Sequence, residues 1–384
     1  MRHDMTLYEG PFASVKEGWK DIELRLNDEK RQKISAGDTI YFHSASDEYD
    51  VVITKVKALH HFKNFEELYA ALPLERIGYS EEEKETASPS DMLEYYSRER
   101  IEKYGVLGIE IEKEDRDYYV DAHMHLEYGT LTKEYVLEFV EEAVRKGLDE
   151  IDILDHTHRF KEFACCYEHL MIYEEQATWL SQKKKFCSSL AEYEKLIEEV
   201  RRMDLPIRVK FGLEVCYTKD TEETLRKILS PLNLDFLTGA VHSFNHILYD
   251  MPFSKELLWD RFSADDIYRD YYAAVMDCVR SGLFDRLAHP DTIKLFNIYP
   301  EYDLHDTYVE LAHLCNAYGV RAECNTGCYY RYSHKDMGLS DELLKVLKEE
   351  KTRIITASDA HYPEHCGNYI LQATKRIKEA KTDA

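Results

Sequence analysis

Positive charge is what this chain of 384 residues has too little of: 50 Lys and Arg stand against 74 Asp and Glu, a formal net charge of −24. That balance favours solubility and excludes casual binding along a nucleic acid, whose phosphates need a basic surface. The nine cysteines include the neighbours Cys165 and Cys166 but no paired C-x-x-C motifs. A zinc ribbon is thereby excluded, a disulfide framework is disfavoured, and a reducing cytoplasm is the expected setting. No uninterrupted apolar stretch is long enough to span a bilayer, and Met1-Arg2-His3-Asp4 leads into no apolar run. Neither a membrane span nor export is expected. Internal repeats and low-complexity tracts are missing too, so the chain reads as ordinary globular sequence, 44% hydrophobic and 32% charged.

The length suits two domains. Residues 1–112 mix strand and helix signals. Alternation in Trp19-Lys20-Asp21-Ile22-Glu23-Leu24-Arg25-Leu26 predicts a strand, as do Thr39–Phe42 after the Gly37-Asp38 turn, Val51–Thr54 and Val106–Ile111. The stretch from Phe65 to Tyr104 reads as helical, with a start signal at Ser88-Pro89-Ser90. Residues 113–117 are charged without apolar period and form the expected linker to a second domain over residues 118–384. There, strands at 118–122, 150–154, 207–213, 234–241, 284–288, 319–324 and 352–357 alternate with helices at 131–146, 188–203, 221–230, 264–281, 303–318 and 340–350. Such alternation predicts βα units around a parallel sheet, with seven strands suiting a barrel. The tail from Lys375 to Ala384 reads as a fraying helix end.

Each of those strands ends in His, Asp or Glu. The segments are Asp121-Ala122-His123-Met124-His125, Asp155-His156-Thr157-His158, Gly212-Leu213-Glu214, Ala240-Val241-His242, Ala288-His289, Glu323-Cys324-Asn325 and Ser358-Asp359-Ala360-His361. In a parallel barrel the carboxyl ends of all strands meet on one face. His123 and His125 alternate on an extended segment, so both rings point the same way and can grip one ion. The candidate metal ligands are His123, His125, His156, Glu214, His242, His289, Asp359 and His361. Imidazole with carboxylate suits Zn, Mn, Fe or Co, two or three ions are expected, and such ions supply hydroxide at neutral pH. Glu214 is the candidate bridge between ions.

Residues 118 to about 370 resemble the PHP family, and its histidinol-phosphate phosphatase branch most, on those motifs together with Asn325-Thr326-Gly327. The resemblance implies a distorted seven-stranded barrel whose two or three metals hydrolyse phosphate esters of a small phosphorylated substrate. By motif, His123, His125, Glu214 and Asp359 hold one ion, His361 a second, and His156, His242 and His289 complete the cluster. Many members carry another ligand His six residues after the H-x-H pair, where this chain has Leu131. His158 reads as an exposed loop histidine, with ligation as its alternative. Positive charge for a phosphate is expected from Arg159 first, then Lys161, Lys294 or Arg331, and a proton for the leaving group from Asp359 or His242.

The first domain resembles the ASCH family, a small β-barrel α+β module related to PUA folds, on Gly18-Trp19-Lys20-Asp21-Ile22-Glu23-Leu24-Arg25 and Gly37-Asp38-Thr39-Ile40. The resemblance implies an RNA or nucleoside ligand. Lys20, Glu23 and Arg25 are the candidate pocket residues, with Trp19 or Tyr41 as a stacking face. Against that stands a salt-bridged strand with Trp19 in the core. Three functions follow: a histidinol-phosphatase-type phosphomonoesterase serving histidine synthesis, a phosphodiesterase or exonuclease acting on ends selected by the first domain, or a non-enzymatic RNA-binding protein.

Overall fold

The computed structural model describes residues 1–382. The chain forms two compact units that part between Tyr118 and Tyr119.

In the first unit, β1 (Arg2–Leu7), β2 (Ile22–Leu26), β3 (Thr39–Ser44), β4 (Val51–Phe62) and β5 (Val106–Lys113) make one curled sheet in the order β1-β3-β4-β5-β2. Only β1 and β3 pair in parallel. The charged strand β1 was not foreseen, and β4 runs eight residues beyond the expected Thr54. Both depart from clean alternation: β4 carries a bulge between Val56 and Ala58, which resets the side-chain period. Two apolar clusters flank the sheet, one around Phe12, Ile40, Phe42 and Ile109, the other around Ile22, Leu24, Phe65 and Leu68. The helical stretch is broken into short pieces, among them Phe65–Ala71, the Ser88-capped turn Pro89–Glu94 and Arg98–Tyr104.

The second unit is a nearly closed barrel. Its strands β6 (Val120–Met124), β7 (Glu150–His156), β8 (Arg208–Cys216), β9 (Phe236–Ala240), β12 (Arg286–Leu287), β13 (Arg321–Asn325) and β14 (Ile354–Ala357) lie side by side in chain order, all parallel. A short hairpin, β10 (Ser243–Phe244) and β11 (Ile247–Leu248), follows β9. The outer strands approach through a bridge between Met124 and Ala360, with Thr356 Oγ1 donating to Val120 O at 2.7 Å. All six expected helices are present, from Lys133–Arg145 to Asp341–Glu349. A last helix, Ile370–Glu379, covers the start of the tail read as fraying, and the final two residues lie outside the described ones. Helix faces pack Phe139, Leu196, Leu225, Tyr272, Leu311 and Leu347 onto the strands. Inside the barrel, Arg286 pairs with Asp152 at 2.7 Å and lies 3.6 Å over the Phe236 ring.

Candidate metal centre

The barrel places the strand-end groups together because parallel strands deliver their carboxyl ends to one rim. The end of β6 is fixed first. Asp121 accepts from Ser358 N at 2.8 Å, Ser358 Oγ at 2.5 Å and Gly367 N at 2.7 Å, joining β6 to the segment after β14. Asp155 of β7 accepts from Leu126 N at 3.0 Å and so holds the turn that follows His125. His289 and Asp359 have φ of 29° and 57°, left-handed values that non-glycine residues rarely adopt. Strain of this kind persists where the surroundings fix it, commonly at functional sites.

Glu214 is the hub. Its Oε1 lies 3.0 Å from both His242 Nε2 and His289 Nε2. Its Oε2 lies 2.6 Å from His156 Nδ1, 3.5 Å from His123 Nε2 and 3.6 Å from His125 Nε2, yet makes no aligned hydrogen bond with any of them. A fully buried carboxylate oxygen ringed by imidazole nitrogens without hydrogen bonds is costly unless a cation satisfies it. Glu323 sets the tautomer of His123: both carboxylate oxygens lie 3.0 Å from Nδ1, so Nδ1 donates and Nε2 keeps its lone pair. That lone pair faces His125 Nε2 at 2.9 Å, with Asp359 Oδ1 3.3 Å from the same His125 atom. The donor chemistry fits divalent ions held by nitrogen and oxygen. Four clusters among the described residues meet that description: His123 with His125 and Asp359, His125 with His156 and His361, His156 with Glu214 and His242, and Glu127 with His156 and His158.

Burial opposes a charged ring on His123, but Glu323 and Glu214 outweigh it and hold its pKa well above an ordinary histidine, a proton that a bound ion would displace. Burial pushes the Glu214 carboxyl up, but His156, His123 and His242 outweigh it and hold the group well below the usual carboxylate range. Asp359, only partly buried, is held well below by Arg331 and His125, which outweigh desolvation. His125 is driven well below an ordinary histidine by burial and by His156 and His361, which leaves it neutral and able to ligate.

The PHP domain family model matches residues 121–327, more than half of the chain. The chain belongs to the PHP family. Its first unit matches the ASCH domain over residues 5–115. A probable histidinol-phosphatase of Deinococcus radiodurans is 26% identical over 264 residues, covering 67% of this chain and 92% of the relative. Another from Schizosaccharomyces pombe is 25% identical, covering 66% of this chain and 84% of the relative. Among solved structures, the histidinol phosphate phosphatase of Lactococcus lactis, complexed with zinc, L-histidinol and phosphate, is similar at 19% identity and TM-score 0.51, covering 69% of this chain and 94% of that one.

Beside the PHP centre lies a cavity of about 250 Å³ whose walls include Tyr128, Trp179, His242, Asp250, Arg331 and His361. Four residues of this region were not assigned a role from the sequence. Glu323 lies in the strand end Glu323-Cys324-Asn325, where the motif alone gives it no role of its own. Glu127 is the residue after Leu126 in the loop beyond the H-x-H pair, where a single carboxylate has no periodic signal. Asp250 lies 2.9 Å from His242 Nδ1, and Lys185 arrives from a distant loop.

Two expectations change. Arg159 is buried, but its guanidinium turns away from the cavity: it donates to Asp155 Oδ2 at 2.8 Å and to Gly129 O at 3.2 Å. The positive charge on the cavity wall is Arg331, 3.3 Å from Asp359 Oδ2 and 3.2 Å from His361 Nδ1. His158, read as an exposed loop residue, is buried, and burial together with His156 pushes its pKa down to about 3. Leu131 packs against the hydrophobic core. Of the other expected cations, Lys294 is buried against Asp291 at 2.7 Å, and Lys161 is exposed.

The first unit has its own cavity, about 570 Å³, reached by Lys20, Glu23 and Arg25 and edged by Trp19, Tyr79 and Tyr95. Lys20 Nζ lies 2.8 Å from Glu23 Oε2 and Arg25 Nη1 3.1 Å from Glu23 Oε1, all three largely buried. Trp19 is 43% exposed, so the alternative that placed it in the core is set aside. Tyr41 is buried under the Arg2 guanidinium at 3.9 Å and does not line this cavity.

Proposed function

We propose that the chain is a metal-dependent phosphomonoesterase that hydrolyses histidinol phosphate. The observation that carries this reading is Glu214 at the centre of His123, His125, His156, His242 and His289, a donor set suited to two or three ions of Zn, Mn, Fe or Co. The names of the two relatives and the ligands of the Lactococcus enzyme support the substrate. The size of the cavity, about 250 Å³, favours a small phosphate ester over a polymer end.

His123, His125, Glu214 and Asp359 are assigned to one ion, with His156, His242, His289 and His361 completing the set. Ions held there polarise phosphoryl oxygens and lower the pKa of water to about 7. The chain's own residues do the rest. Arg331, which stays charged, binds a phosphoryl oxygen at the cavity wall. Of the two proposed proton donors, Asp359 is held ionised by Arg331 and His125 and serves as a ligand. His242 is backed at Nδ1 by Asp250, which fixes the ring so that Nε2 faces the centre as a ligand, and the leaving alkoxide takes its proton from water as the P–O bond breaks. The nine unpaired cysteines support a reducing cytoplasm, and the names of the relatives support a place in histidine synthesis. No helix among the described residues is long and apolar enough to cross a membrane.

The experiment is phosphate release by the metal-reconstituted protein from histidinol phosphate, nucleotides and dinucleotides, with His123→Ala beside it. Turnover of histidinol phosphate that disappears in the variant supports the reading. Turnover of dinucleotides alone would replace it with the exonuclease.

For the first unit, the proposed ligand is a nucleotide or RNA end, with exposed Trp19 beside buried Lys20 and half-buried Arg25 as support. Titration with nucleoside monophosphates should show saturable binding that Lys20→Ala weakens at least tenfold; binding equal in the variant would overturn this assignment.

A further inference from the structure

Lys185 enters the PHP centre from a loop fixed by two backbone contacts: Phe186 N donates to His158 O at 2.7 Å and Ser188 N to Arg159 O at 3.1 Å. Its ammonium lies 3.0 Å from Glu127 Oε1 and 2.6 Å from His158 Nε2, and 4.3 Å from the Trp179 ring centroid. The side chains of Lys185, Glu127 and His158 are all nearly buried, 6–7% exposed. An ammonium has donors only. The two atoms facing it are therefore acceptors aimed at one cation. His156 Nε2, 3.9 Å from Glu127 Oε2, adds a third donor to the same cluster, and Glu127, His156 and His158 can offer one atom each within 4.8 Å of one another.

A carboxylate and two imidazoles make a metal-binding tripod as readily as a seat for a lysine. We propose that Glu127, His158 and His156 form a divalent-metal position at the rim of the centre, His156 giving its single lone pair at Nε2 to this ion with its Nδ1–H facing Glu214, and that Lys185 competes with the ion for Glu127 and His158. The inference rests on the metal-centre part of the proposed function, though not on the substrate. Lys185 then limits how tightly the rim ion is held, while the ions on His123, His125 and Asp359 are indifferent to it.

The two partners of the contest predict opposite effects, which a purely structural role for these residues would not. Full-length protein is stripped with chelator and titrated with Zn²⁺, with bound ions counted by equilibrium dialysis and elemental analysis. Glu127→Gln should bind one ion fewer per chain than wild type, and Lys185→Met should bind its weakest ion at least tenfold tighter, at unchanged total. Lys185→Gln is the second variant, should the methionine fail to fold; it should tighten the same ion. Wild-type stoichiometry in Glu127→Gln, or a weakest ion unchanged or weaker in both lysine variants, would overturn the proposal. Since ions are counted without substrate, a protein inactive on histidinol phosphate can still pass this test, and an active one can fail it.

Discussion

At the scale of single residues, the centre depends on groups that touch no substrate. Glu323 holds His123 Nδ1 through both oxygens at 3.0 Å and so decides which nitrogen is free to ligate. Removing such a partner typically weakens metal binding about 10–100-fold. Glu323→Gln should therefore shift a Zn²⁺ titration by that factor, and an unchanged titration would mean that packing alone orients His123. The two arginines separate just as sharply. Arg331→Met should lower kcat/KM for a phosphomonoester about 10–100-fold, the loss of one charged hydrogen bond, with metal content unaltered. Arg159→Met leaves Asp155 buried and unpaired, a change that costs about 3–5 kcal/mol of stability. Thermal unfolding and steady-state kinetics on both variants distinguish the roles: equal kinetic loss without destabilisation in Arg159→Met would restore it to the active site.

At the scale of elements, β8 shows how tightly strand packing governs ligand position. A Cβ on Gly212 would meet Phe236 Cε2 at 2.4 Å and Phe236 O at 2.6 Å, and the second of these is backbone that cannot turn aside. Gly212→Ala must move β8 against β9, and overpacking of this kind costs about 1–3 kcal/mol. Because Glu214 lies two residues further along the same strand, the variant should both melt earlier and bind metal more weakly. A melting point shifted without any change in metal affinity would show that the strand end is insulated from its middle.

The elements also show what periodicity can and cannot reveal. All seven barrel strands and the six helices between them were legible, because each strand is a short apolar run and each helix, such as Lys133–Arg145 with Val136, Phe139, Val140 and Ala143 buried, carries one apolar face. The strand-end groups followed from that regularity, since parallel order alone brings Glu214 to His242 and His289. Strand β1 was not legible: Arg2, His3 and Asp4 form no alternating pattern, and the strand is held to β3 partly by His43 Nε2 on Asp4 Oδ1 at 2.8 Å. Lys185 and Glu127 were hidden for a different reason. They meet through loops, and nothing in a loop sequence states which distant residue it will face.

At the scale of the whole molecule, the rim of the barrel gathers acidic and imidazole groups from strands that span most of the second unit, with Asp121 binding the first strand to the segment after the last. Buried carboxylates such as Glu214 and Glu323 gain their stabilisation from cations and imidazoles around them, so ions bound by the folded unit and not by the unfolded chain stabilise the barrel by mass action. At free metal one hundred times the dissociation constant this amounts to about 2.7 kcal/mol. For a unit of this size it corresponds to a shift of about 5–10 °C in melting temperature. Calorimetry of the full chain with and without chelator should show the second unit's transition fall by that amount, while the first unit, whose described core and cavity draw nothing from the centre, should melt where it did before. Restoring Zn²⁺ should return the lost degrees in wild type and fewer of them in Glu323→Gln. A barrel indifferent to chelation would mean that its strand-end groups satisfy one another without ions, and the metal centre would then have to be abandoned along with the chemistry assigned to it.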